Sequence, residues 1–156
     1  MPYNSQENPS SERINRTALD MARCMLHYAG APKTFWREAI KMVIFVHNIT
    51  PTKALDKQTP YAIWFGHKPD LSKMRVFGCA AYAILPEKHR HKLSDRAIKC
   101  VFLGYSDDSS GYLLYNTVDN IFLINRDVRF NEEEFPFREL TRSDPLYDFE
   151  NRGSVR

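Results

Sequence analysis

Residues 75–130 read RVFGCAAYAILPEKHRHKLSDRAIKCVFLGYSDDSSGYLLYNTVDNIFLINRDVRF. Short β-branched and aromatic runs recur through them: Arg75 to Phe77, Ala80 to Leu85, Ile98 to Gly104, Tyr112 to Tyr115, Ile121 to Asn125 and Val128 to Phe130. Turn-forming residues separate the runs, as SDDSSG over 106–111 and TVDN over 117–120. Five or six short strands with no helical period between them predict a small β-barrel or sandwich.

Upstream the period is helical. Ile14, Ala18, Ala22, Met25 and Leu26 share one face from Ser10 to Gly30, with Asn8 and Pro9 as a cap and first-turn pair and Gly30 as a stop. A second helix is expected after Pro32, capped by Thr34 and running to about Asn48. A third should begin with Thr59 capping Pro60 and end at Gly66. The division between helical and strand-rich parts falls near residues 67–73. Beyond Phe137 no period survives, and residues 133–156 are expected to form an acidic, disordered tail.

The chain has 156 residues, 43% hydrophobic, 13% aromatic and 26% charged, a globular composition that excludes collagen and disulfide-scaffold classes. Its longest apolar run, Met42 to Val46, is far short of the roughly twenty residues of a membrane span, so no membrane partner is expected. Three Cys (Cys24, Cys79, Cys100) at long spacings and a polar start without an apolar core predict an intracellular, reducing setting. The net charge of +3 is unevenly spread. Residues 131–150 hold seven acids against Arg138 and Arg142, a local −5; Arg152 and Arg156 return +2, which leaves +6 for the first 130 residues. A basic body is compatible with a polyanionic partner without requiring one.

The strongest binding signal is Lys88-His89-Arg90-His91-Lys92, followed by Arg96 and Lys99, in a loop between two predicted strands. Such a loop can straddle a phosphate backbone, and it reads equally as a solvated connection. A second candidate is Arg13, Arg16 and Arg23 on the first helix. Tyr82, Phe102, Tyr105, Tyr112 and Tyr115 suggest base stacking, but filling the core of a small barrel is the better reading. Cys79, His89, His91 and Cys100 match no compact zinc spacing, and the two thiols lie in apolar strands, which favours buried structural cysteines.

The order of motifs resembles the integrase region of copia-type retrotransposon polyproteins. The pieces that carry the resemblance include Glu12-Arg13 with Asn15-Arg16-Thr17, Pro32-Lys33-Thr34-Phe35-Trp36, Thr59-Pro60-Tyr61 with Trp64, and Arg75-Val76-Phe77-Gly78-Cys79. Lys99 to Ser106, Gly111-Tyr112 with Leu114-Tyr115, and Arg126-Asp127-Val128 with Phe130 complete it. The resemblance implies an α+β fold in three parts. Residues 1–66 would be the last helices of an RNase H-like integrase core, truncated, and residues 74–132 an SH3-like β-barrel, with the acidic tail after them.

In such a core two Asp and one Glu hold divalent metal, Mg²⁺ by family, for phosphoryl displacement in DNA integration. Glu12 takes the position of that Glu. Eleven residues precede it, none of them Asp, and Asp20, about 12 Å further along the helix, cannot substitute. The loop also departs from the family's pattern at Glu7, where a Gln is usual, and at Pro9, where a Gly is usual. Glu12 is thus an incomplete catalytic and metal position. The chain alone is expected to hold no metal and to be inactive in strand transfer, with at most non-specific DNA binding through Arg13, Arg16, Lys88, Arg90, Lys92, Arg96 and Lys99. DNA and other integrase chains are the implied partners, and by family the nucleus is admitted as a location. The alternative is a non-enzymatic module that binds protein through its SH3-like part. Because the helices' apolar faces would have lost their sheet, the two parts are expected to differ in stability.

Overall fold

The structure is a computed structural model and describes residues 9–84, 96–106 and 111–143. Helix α1 spans Pro9–Ala29 and buries Ala22, Leu26 and Ala29 along one stripe, as the helical spacing predicts. It stops at Gly30, where φ is +65°. Helix α2 spans Trp36–Ile49, packs against α1 and buries Ala39, Met42 and Val43. Thr34 does not cap it. The chain enters through a 3-10 turn, Lys33–Phe35, that carries the Phe35 ring into the core, and this burial displaces the hydroxyl from the cap position. Helix α3, Pro60–Phe65, begins as expected, with Thr59 Oγ1 accepting from the backbone N–H of Ala62 at 3.0 Å.

Five strands follow: β1 Ala80–Ile84, β2 Ala97–Tyr105, β3 Tyr112–Asn116, β4 Ile121–Asn125 and β5 Val128–Asn131. They make one antiparallel sheet in the order β4-β3-β2-β1-β5. The β3–β4 turn is set by Asn116, 2% exposed, whose Oδ1 accepts from the Val118 N–H at 2.9 Å. Phe102 and Gly104 flank a register shift in β2, and Gly104 takes φ +147°, a conformation that side chains disfavour, so the long strand bends.

The expected closed barrel is corrected to an open sheet. Its two edge strands, β4 and β5, are consecutive in the chain, joined by Arg126 and Asp127, and among the described residues they pair with β3 and β1 and not with each other. The sheet curls instead. Asn125 Nδ2 donates to the Ile84 carbonyl at 3.0 Å, and the Ile84 N–H donates to the Asp127 carbonyl at 2.9 Å. Phe102 packs against Tyr105, Tyr112 and Phe130, and Tyr115 lies against the same core, the role preferred for these rings over base stacking. Tyr82 does not join them, since it lies outside the core cluster with its hydroxyl donating to Glu134.

Two further expectations are corrected. Arg75 to Phe77 form no strand: the Arg75 N–H donates to Tyr105 Oη, which itself donates to the Lys73 carbonyl, while Phe77 is buried. The predicted tail starts too early, because Pro136–Ser143 is a helix, α4. Phe135 and Phe137 are buried, and the Arg138 guanidinium lies over the rings of Tyr28 and Phe135. Two adjacent apolar anchors and a cation on an aromatic pair hold this segment although its charge pattern is polar.

The buried residues of helices and sheet form one continuous cluster, from Ala22, Phe35 and Met42 to Cys79, Phe102 and Phe137. Phe35 meets Tyr115 and Phe137, and Phe45 meets Tyr105. The helices therefore do have a sheet to cover them, the strand-rich one that follows in sequence. Part of the apolar surface expected to be bare remains so: Ile14, Trp36 and Ile44 are more than half exposed.

Candidate nucleic-acid surface

The first turns of α1 stand clear of the core. Residues 11–17 are all exposed, and burial begins only near Ala18. Arg13 and Arg16, one turn apart, project there, and among the described residues neither has an ion-pair partner. Arg23 differs: its Nη1 lies 2.9 Å from Asp20 Oδ1, so its charge is locally answered. Arg96 is exposed immediately before β2. Lys88, Arg90 and Lys92, together with His89 and His91, lie outside the described residues.

Lys99 is on β2, but it does not face solvent alone. Its ammonium contacts Glu134 Oε1 and stands 3.6 Å from Glu139 Oε2. Glu134 Oε2 in turn accepts from Tyr82 Oη at 3.0 Å and from Asn131 Nδ2 at 3.2 Å. The hydrogen bond with Lys99 holds the Glu134 carboxyl below the usual carboxylate range, and the same bond raises the Lys99 ammonium. The Tyr82 phenol is pushed up, chiefly by its bond to Glu134. Sequence reasoning counted Lys99 among the available cations and missed its acidic cover. The signal was present in Glu134-Phe135-Pro136-Phe137, where two Phe flank a helix-starting Pro and predict a segment that docks.

Glu12 is exposed in the first turn of α1, where a carboxylate favours the helix dipole. Among the described residues no three His, Cys, Asp or Glu side chains converge as a metal site.

Cys79 and Cys100 are buried at 0% and 1% exposure, and burial pushes their thiols up to about 12 and about 11. Cys24 is exposed. Maleimide at neutral pH should therefore label one thiol, Cys24, on the folded chain and all three in denaturant; rapid labelling of Cys79 or Cys100 without denaturant would contradict this burial.

Residues 79–143 match the family described as the retroviral polymerase SH3-like domain, a range that includes β1 to β5 and α4. The chain is 38% identical over 134 residues to the retrovirus-related Pol polyprotein from transposon TNT 1-94 of Nicotiana tabacum, covering 86% of this chain and 10% of that protein. It is 39% identical over 136 residues to the corresponding polyprotein from transposon RE1 of Arabidopsis thaliana, covering 87% and 9%. An uncharacterized mitochondrial protein of Arabidopsis thaliana is 32% identical over 111 residues, covering 71% of this chain and 85% of that protein. The chain thus spans about a tenth of the length of the polyproteins it matches. No solved structure matches it. These similarities cover both the helices and the sheet: the chain is homologous to a stretch of retrotransposon Pol polyproteins, and residues 79–143 carry the match to the retroviral polymerase SH3-like domain.

Proposed function

We propose that the chain derives from the integrase region of a copia-type retrotransposon polyprotein, in which DNA integration is the parent process. Its helices from Pro9 to Phe65 are read as the end of an RNase H-like core. Its own contribution is weak, sequence-independent binding of the DNA backbone. The observation that carries this reading is the exposed pair Arg13 and Arg16 on the free-standing turns of α1, in a body whose first 130 residues carry +6. Two guanidinium groups one helical turn apart can reach phosphates of one strand and release their counterions. Among the described residues nothing forms a recognition helix with base-reading side chains, so backbone contact is the expected mode.

Titrating salt against DNA affinity tests it. Three to five phosphate contacts give log K a slope of about −3 to −4.5 against log salt, with micromolar affinity at best near physiological salt. Replacing Arg13 and Arg16 by Ala should flatten the slope by about two, and replacing Lys88, Arg90 and Lys92 by Ala by about two to three. Binding that is indifferent to salt between about 50 and 200 mM, or variants that bind like the parent, would sink this reading. It would favour the alternative, a protein-binding module. That alternative has its own support in edge strand β4, where Ile121, Phe122 and Ile124 are exposed beside unpaired backbone.

A further inference from the structure

Lys99 lies under two carboxylates contributed by one docked segment, and that segment is anchored independently of them. Phe135 and Phe137 are buried, the Ala80 N–H donates to the Glu134 carbonyl at 2.8 Å, and the Arg138 guanidinium donates to the Tyr28 carbonyl while lying over the Tyr28 and Phe135 rings. The backbone that carries Glu134 and Glu139 is thereby held over β2 independently of Lys99, and the Glu134 carboxylate is also held by Tyr82 and Asn131. Two carboxylates thus stand over one ammonium, in a strand that begins directly after the exposed Arg96.

We propose that the strap from Glu132 to Leu140 is an electrostatic gate on the cationic surface: Glu134 and Glu139 occupy Lys99 and withhold it from a phosphate backbone. The gate rests on the DNA-binding reading above and adds its regulation. An anion approaching Lys99 must displace a carboxylate that already accepts from it, and it meets the second carboxylate as a like charge. The parent chain then binds DNA without a contact at Lys99, and neutralising the two acids opens that contact. Because the phenylalanine and Arg138 anchors do not involve these carboxylates, the strap stays docked when they are neutralised.

The test compares the parent, Glu134→Gln with Glu139→Gln, and the same pair combined with Lys99→Ala, in binding of a short duplex DNA across salt. Opening one phosphate contact should steepen the slope by about one and tighten binding about tenfold near 50 mM salt. The gain should vanish when Lys99 is also replaced. A gain of equal size without Lys99 would show a general charge effect and overturn the gate, as would the absence of any gain while the parent binds. Binding by the double variant alone supports the gate, whereas silence from every protein overturns the proposed function and the gate together. Glu134 also accepts from Tyr82 and Asn131, so Glu139→Gln alone serves as the milder variant, with a smaller gain of the same sign expected. Reaction of Lys99 with an acylating reagent, read by peptide mass, should rise in the double variant whether or not DNA binds; unchanged reactivity would overturn the gate by itself.

Discussion

Gly78→Ala should lower stability by about 3 kcal/mol, which for a chain of this size shifts Tm down by about 6–12 °C. Two independent costs act at this position. Gly78 holds φ at +82°, where an L side chain costs about 1–2 kcal/mol. A Cβ built there would also overlap the Cβ of Ala29, itself fully buried on α1, and forcing extra volume into a packed core costs about 1–3 kcal/mol. Relaxation is blocked on both sides. The Gly78 N–H donates to the Phe102 carbonyl at 2.8 Å, and the Phe102 N–H donates to the Cys79 carbonyl at 2.9 Å, which fixes the backbone against β2. Ala29 is followed by Gly30, which packs so closely on Arg138 that an added Cβ would lie 2.7 Å from Arg138 Cγ, and this leaves the end of α1 little room to shift. Urea or thermal unfolding measures the effect; a variant as stable as the parent would mean that α1 does not pack on the start of β1.

Phe35→Ala should cost about 3–5 kcal/mol, the range for removing a buried aromatic ring. Phe35 is 7% exposed and touches Tyr115 on β3, Phe122 on β4 and Phe137 on α4, so one ring joins the helices, the sheet and the strap. The loss should be felt in all three, with reduced amide protection in β3 as well as in α2. Phe35→Leu should recover most of it, since it refills much of the volume. If Phe35→Ala loosened only α2 and left the sheet untouched, the ring contacts would carry no coupling.

Most of the secondary structure was legible in the sequence because the signals were local. Thr59-Pro60 with Gly66 marks α3 at both ends, and the β4 run from Ile121 to Asn125 is bounded by turn residues on each side. What escaped depended on distant partners. No pattern in Arg75-Val76-Phe77 reveals that Tyr105 takes its first N–H, so an apolar triplet looked like a strand. Likewise the charge around Phe135 and Phe137 concealed a helix, because the Ala29 and Tyr28 surface that receives the segment is over a hundred residues away in sequence. Barrel closure failed for a topological reason: counting strands cannot show that the last two, though consecutive, sit at opposite edges of the sheet.

The candidate site was legible only in part. Arg13, Arg16 and Arg96 are exposed, as their polarity suggests. Lys99 is answered from Glu134 and Glu139, residues more than thirty positions later that only the docked strap brings near. Local charge counting treats every Lys alike, and tertiary ion pairing then sorts them.

Residue-resolved amide hydrogen exchange on the unmodified chain tests the shared core of helices and sheet most directly. Amides of α2 around Met42 and Val43 and of β2 around Val101 and Phe102 should show comparable protection, set by one global unfolding step. They should lose it together under mild denaturant. Protection confined to β1 to β5, with α1 and α2 exchanging near the unprotected rate, would contradict the shared core and would restore a helical remnant that has lost its sheet.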